Sequence, residues 1–319
     1  MNKTTKIRWV IAHEPLNLFL RAAKDFEHKV NAEQNEHEID VEIMTLTEYS
    51  QRYNDGVIVT KHDLLDLMEA GKIEMSQMYT TWLAEHYESD MLAFDLPFLF
   101  NDHDHATRVL EGEVGEKLLD NVSAKSNIRG LSYTYSGGFR QMISNKPVST
   151  LADLAGTTQR SNRNPVAQAT LTALGITPYA CEVEDMKAEV IAGNCDGGET
   201  NYPRMYPLGQ NEVTKSVVDT EHSLFLTSMI IGDTFWNSLS AEVQAVIKKA
   251  AIEAGREERA ETIRDGEIAK KRLVAEEGAT IHSLSAEERA EAIAKTAVVY
   301  DQFSEQFTPG LVDAIRAAK

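Results

Sequence analysis

Residues 7–30 read IRWVIAHEPLNLFLRAAKDFEHKV, and the two halves of this stretch obey different periods. Ile7 to Ala12, apolar but for Arg8, is a strand candidate. After Pro15, the residues Leu18, Ala22, Phe26 and Val30 recur four apart, which places them on one face of a helix. Val41-Glu42-Ile43-Met44-Thr45 then alternates with period two, as a strand does. Leu64, Leu67 and Met68 mark a second helix that ends near Gly71, and Ile73 to Met78 returns to strand. A β-α-β-α-β order joins parallel strands by helical crossovers, so this opening predicts a parallel sheet with helices on its faces.

The same alternation returns further along. Ile128 to Tyr135 and Gly156 to Arg160 read as strands, Pro165 to Leu174 as a helix, Ile176 to Ala180 as extended and Val183 to Ile191 as a helix. A second α/β domain therefore begins near residue 128. Beyond Ser240, an N-cap with Glu242 in the first turn, no proline occurs before about Glu277, and only Gly255 and Gly266 interrupt. Such a helix is about 55 Å long, more than one small domain needs, and is expected to cross two. Ser285 with Glu288 opens a further helix through a capping box. The expected division is 1–127 plus about 214–255 as an N-terminal lobe, and 128–213 plus about 256–319 as a C-terminal lobe.

Composition narrows the function. The chain has 319 residues, 42% hydrophobic and 26% charged, which suits a soluble protein of two domains. Its net charge of −18 argues against nucleic acid and against anionic membrane surfaces. No stretch approaches the roughly 20 apolar residues that span a bilayer, so no membrane insertion is expected. Met1 to Lys6 runs straight into the first strand without the charged and apolar regions of a leader. Composition leaves open a cytoplasmic protein or one whose leader has been removed. Cys181 and Cys195 lack CxxC spacing; they read as small, partly buried apolar residues, although an oxidising compartment would permit pairing.

No motif carries catalysis. Asp102-His103-Asp104-His105 has metal-ligating residue types, but Asn101 or Asp102 reads better as the cap of the next helix, with both histidines solvated. His13-Glu14 lacks the second histidine of a zinc motif, and there is no phosphate loop, dinucleotide fingerprint or nucleophile elbow. Without an acid/base or nucleophile constellation, no enzyme activity, metal or cofactor is expected.

Four ordered segments are more specific. They are Asp95-Leu96-Pro97-Phe98-Leu99-Phe100 followed by Leu110-Glu111-Gly112-Glu113-Val114-Gly115 and Leu118-Leu119; Gly138-Phe139-Arg140 with Ser144-Asn145-Lys146-Pro147; Asp153-Leu154-Ala155-Gly156-Thr157-Thr158-Gln159-Arg160; and Ala173-Leu174-Gly175 to Pro178, then Glu184, then Gly193 to Glu199. In this order and spacing they resemble the substrate-binding proteins of TRAP transporters. The first reads physically as an apolar turn that plugs the core between domains. The resemblance implies a two-domain fold of the periplasmic-binding-protein type, with a cleft between two helix-flanked sheets and a long helix through both domains. It implies a periplasmic receptor whose signal peptide has been removed. Such a receptor would capture a small organic anion, a carboxylate, close on it by hinge motion and deliver it to the membrane subunits, acting as a monomer and catalysing nothing.

The family arginine that binds the ligand carboxylate falls on Arg160, whose planar guanidinium matches a carboxylate fork. Arg140, in the "GFR" segment, is the second candidate, while Arg163 reads as an exposed arginine at a helix start. The sequence departs from the family where selectivity is decided. The usual "QEN" is Gly198-Glu199-Thr200, so Glu199, Thr200 and the neighbouring Asn201 are candidates with altered roles. Strand ends of open α/β sheets add His13, Glu14, Gln77, Tyr79, Trp82 and Phe225. A sulfonate or a zwitterion such as ectoine is the alternative ligand, and the binding component of a sensory system the alternative role.

Overall fold

The computed structural model describes residues 4–32 and 38–318. Met1 to Lys3, part of the opening from which the leader was judged, lies outside the described residues. The chain runs β1 (Thr5–Val10), α1 (Asn17–Ala32), β2 (Ile39–Met44), α2 (Leu46–Tyr53), α3 (Leu64–Glu69), β3 (Met75–Tyr79), α4 (Thr80–His86), α5 (His103–Leu110), α6 (Glu113–Lys125) and β4 (Ile128–Phe139). It continues through β5 (Gln141–Ser144), β6 (Thr158–Ser161), α7 (Pro165–Ala173), β7 (Thr177–Ala180), α8 (Met186–Ala192), β8 (Gly197–Thr200), α9 (Tyr202–Met205), β9 (Ser216–Asp219) and β10 (Leu224–Gly232). Then follow α10 (Asp233–Asn237), α11 (Ala241–Glu277), β11 (Thr280–Ser283), α12 (Ala286–Phe303) and α13 (Leu311–Ala317).

These elements form two compact units. One comprises Met1–Met91, Thr107–Ser136 and Leu226–Glu261; the other comprises Leu92–Ala106, Gly137–Phe225 and Thr262–Lys319. The sequence reading puts the exchanges at 128, 214 and 256; the chain changes unit inside β4, β10 and α11, and it also passes to the second unit after Met91 and returns to the first inside α5. The reason is local: a strand or helix keeps its period and its hydrogen bonding while it passes from one unit to the next. No turn residue marks such a place.

In the first unit the sheet order is β2-β1-β3-β10-β4. β1 pairs in parallel with β2 from Thr5↔Ile39 to Val10↔Met44 and with β3 through Trp9↔Met75, as the opening stretch predicts. β10 joins antiparallel to β3, so the parallel order stops there. The predicted helical face is the buried one: Ala22, Phe26 and Val30 pack on Ile7 and Trp9, with Ile247, Ala251 and Ala254 of α11 in the same core. Burial of each such large side chain contributes about 1.5–3 kcal/mol.

In the second unit the order is β11-β9-β5-β8-β6-β7. Met142 and Val218 belong to one core cluster with Leu154, Leu171 and Ala292, while their neighbours Ile143 and Val217 belong to another with Met186, Val190 and Leu273. Alternation along a strand sends these neighbours to opposite faces, so both faces of this sheet are covered. α7 starts where Asn164 accepts from the amides of Val166 and Ala167, with Pro165 as its first residue. α8 starts at Met186, three residues later than Val183, and stops at Gly193, which has a positive φ of 78°.

The apolar turn around Pro97 belongs to the second unit. Leu96, Leu99 and Phe100 are buried there, and Tyr300 donates to the Pro97 carbonyl at 2.7 Å. The histidines beside it are not solvated, contrary to the sequence reading. Asp102 caps α5 as expected, accepting from the His105 amide at 2.6 Å. His105, however, is buried: Nδ1 accepts from Asn101 N–H and Nε2 donates to the Ile315 carbonyl at 2.8 Å. His103 is half-buried with its ring 4.8 Å from that of Phe139, and burial lowers its pKa despite Asp102 and Asp104. Both cysteines are free, and burial pushes the Cys195 thiol up to about 11.

Candidate anion-binding site

The second unit gathers most of the candidate charges at the ends of β5, β6 and β8. Arg160 sits in β6, between β8 (Arg160↔Gly198) and β7 (Arg160↔Tyr179). Its side chain is 5% exposed, and Nε donates to the Cys181 carbonyl at 3.0 Å. Among the described residues no carboxylate lies within 4 Å of the guanidinium, and its two Nη groups have no hydrogen-bond acceptor. Burial lowers its pKa from the ordinary arginine value; Glu199 opposes that effect and Arg140 adds to it. A buried cation without a counter-ion is costly, and an anion beside it would offset that cost.

Arg140 and Glu199 form the paired part of the cluster. They are 3% and 1% exposed, and Arg140 Nη1 meets Glu199 Oε1 at 3.2 Å. The guanidinium of Arg140 lies 3.8 Å from the Phe225 ring centroid, and that of Arg204 lies 5.0 Å from it. Arg140 Nη2 is buried without a hydrogen-bond partner. Burial alone would raise the Glu199 carboxyl, but Arg140, the hydrogen bond and charge of His222 and the more distant Arg160 together hold it down at about 2. His222 Nε2 lies 3.5 Å from Glu199 Oε2, and its Nδ1 lies 2.7 Å from Thr220 Oγ1. Two guanidiniums, one carboxylate and an imidazole leave the cluster short of negative charge.

Thr200 and Asn201 are buried and engaged. Thr200 donates to Gln210 Oε1 at 2.6 Å, and Gln210 Nε2 is buried without a partner. Asn201 Nδ2 donates to the Gly138 carbonyl at 3.3 Å. Its side chain fills the space beside Gly137, where an added Cβ would fall 2.0 Å from Asn201 Oδ1 and where φ is +107°. Arg163 is largely exposed and reaches Glu182 only at 3.9 Å, as the sequence reading has it.

The remaining candidates belong to the first unit. His13 Nδ1 lies 3.0 Å from Tyr79 Oη, Phe19 is edge-on to Tyr79 with ring centroids 5.9 Å apart, and Trp82 stacks on His62 at 4.7 Å. Gln77 is fully buried, donating to Thr134 Oγ1 and Thr227 Oγ1, both at 2.9 Å. Glu14 is exposed and accepts from the Thr47 amide at 3.0 Å, in the first turn of α2. This is an N-terminal cap on α2. The structure therefore brings Arg140, Arg160, Glu199, Thr200, Asn201 and Phe225 into one unit, and His13, Glu14, Gln77, Tyr79 and Trp82 into the other.

Sequence reasoning missed His222, Arg204, Gln210 and His62. None has a motif or a period; each is recognisable only by what it touches. Among the described residues no group of three or more His, Cys, Asp or Glu could hold a metal ion, and no helix is long and apolar enough to cross a membrane.

Comparison with known proteins gives this cluster its setting. Residues 12–306 match the model of the bacterial extracellular solute-binding proteins, family 7. The C4-dicarboxylate-binding periplasmic protein DctP of Rhodobacter capsulatus is 27% identical over 280 residues, 88% of this chain and 81% of the relative. A TRAP periplasmic solute-binding protein of Sulfurospirillum deleyianum, solved with bound succinate, superposes with a TM-score of 0.81 at 26% identity, covering 100% of both chains. One from Pseudomonas putida F1, with bound D-glucuronate, gives a TM-score of 0.81 at 24% identity over 98% of this chain and 97% of the other. The fold, the ordered motifs and a match over nearly the whole chain agree, and the chain belongs to the family 7 extracellular solute-binding proteins, the periplasmic receptors of TRAP transporters, which bind substrate and do not transform it.

Proposed function

We propose that this receptor captures the carboxylate of a small organic acid on Arg160, closes on it by a hinge movement, and delivers it to membrane permease subunits. One observation carries the choice of residue. Arg160 is a buried guanidinium that keeps two donor groups without an acceptor and has no counter-ion within 4 Å among the described residues. A carboxylate supplies two acceptors in the plane of those donors and one negative charge, and low local dielectric strengthens the bond. Arg140 supports the site from the side: Glu199 and Phe225 hold its guanidinium in place, and Nη2 remains as a further donor. Relatives bind succinate and D-glucuronate, which differ in everything but the carboxylate.

The test is calorimetric titration with succinate, D-glucuronate and pantoate, backed by thermal shift. A ligand at 100 times Kd stabilises the folded protein by about 2.7 kcal/mol. The reading expects binding of at least one carboxylate and its loss in Arg160→Ala. A carboxylate that binds Arg160→Ala as tightly as the wild type refutes the assignment of Arg160.

A further inference from the structure

Arg160 and Gly198 face one another across two hydrogen-bonded parallel strands. A Cβ added at Gly198 would stand 2.8 Å from Arg160 Cβ, 2.9 Å from the Arg160 carbonyl oxygen and 3.1 Å from Met186 Cε. The first two atoms are fixed by the backbone of β6, so they cannot swing aside as the end of a long side chain would. Space, not an unusual φ, demands glycine here. On the other side of Arg160, the Cys181 carbonyl just past β7 takes its Nε–H. The arginine is thus held between a missing side chain on β8 and a backbone acceptor beyond β7.

We propose that Gly198 is the positioning residue of the anion site: its bare backbone seats the stem of Arg160 so that Nε is committed to Cys181 and the two Nη groups face the ligand end-on. This rests on the carboxylate-receptor reading for its functional meaning. The consequence is geometric. A guanidinium can grip a carboxylate through Nε and one Nη, or through its two Nη groups, and these grips approach from different sides. With Nε occupied, only the second is open, so a planar group with two oxygens must enter along the arginine axis. Displacing such a grip by as much as an ångström costs about a hundredfold in a positioned interaction.

The first experiment needs no ligand. In a spectrum of arginine Nε–H groups by nitrogen-15 NMR, the wild type is expected to show a slowly exchanging Arg160 resonance, identified by its loss in Arg160→Lys. Gly198→Ala should shift it or speed its exchange at least tenfold, whereas Ser161→Ala, one residue along β6 and on its other face, should leave it in place. A wild-type Arg160 Nε–H that exchanges as fast as that of an exposed arginine overturns the proposal, even if Gly198→Ala fails to fold. So does an unchanged resonance in folded Gly198→Ala. The second experiment titrates succinate and D-glucuronate. Gly198→Ala should weaken whichever probe the wild type binds by about tenfold or more, and should add nothing in an Arg160→Ala background. If Arg160→Ala binds like the wild type, the ligand reading fails while the NMR result still decides the positioning.

Discussion

Replacing Glu199 by glutamine tests the electrostatic account of the cluster most directly. The carboxylate is 1% exposed, meets Arg140 at 3.2 Å and His222 at 3.5 Å, and is held at a pKa of about 2 against an ordinary value of 4.5. A folded-state pKa below the unfolded one means that the ionised form stabilises the fold. The contribution is complete above the unfolded value and disappears as pH falls through the folded one. A gap of about two and a half pH units corresponds to about 3 kcal/mol at pH 7 and about 1 kcal/mol at pH 3. An independent route gives the same size: removing one partner of a buried ion pair costs about 3–5 kcal/mol, because the other charge is left behind. Glutamine keeps one oxygen for Arg140, so the lower end applies. Urea unfolding of wild type and Glu199→Gln at pH 7 and pH 3 should therefore give a difference of about 3 kcal/mol that falls by more than half on acidification. A difference below about 1 kcal/mol at pH 7, or one that does not change with pH, refutes the account, since an exposed pair behaves in that way.

Arg160→Met is expected to leave the melting temperature of ligand-free protein unchanged or raised, because replacing a buried ion by an apolar side chain of similar volume is often stabilising; a fall of several degrees would show that Arg160 holds the fold together. Gly137→Ala should destabilise by about 1–3 kcal/mol, measured by thermal melting, because it forces alanine to a φ of +107° against the Asn201 side chain. Glu14→Ala should cost about 0.5–1 kcal/mol in a melt and leave the affinity for any carboxylate probe unchanged; a loss of affinity would restore Glu14 as a ligand contact.

The elements of the fold are legible because their signals are local. Period four after Pro15 and period two around Ile43 mark α1 and β2; the Ser240 cap marks the start of α11, and the absence of proline after it lets the helix run on to Glu277. Asp102 and Ser285 are legible as caps because a cap is recognised by the residue and its nearest neighbours. Misplacement was also local: Val183 opens a turn before α8, and the exchanges between units fall inside regular elements that carry no mark of them.

The site divides differently. Arg160 and Arg140 stood out because they end recognisable segments, and an arginine at such a place needs no knowledge of its surroundings to be suspected. Their roles depended on partners far away in the chain. Arg160 answers to Gly198 across the sheet, Glu199 to Arg140 and to His222, and Gln77 to Thr134 and Thr227. Glu14, suspected of ligand contact, is occupied by the amide of Thr47, and His105, expected in water, is enclosed against Ile315. The sequence by itself determined the two α/β units, the long helix and the family, and it singled out Arg160 for the proposed anion site, because period, capping and motif are read over a few residues. Only the tertiary structure decided which charges are neutralised and which remain open. Burial and hydrogen-bond satisfaction are properties of neighbours in space, and in this chain those neighbours lie tens of residues apart.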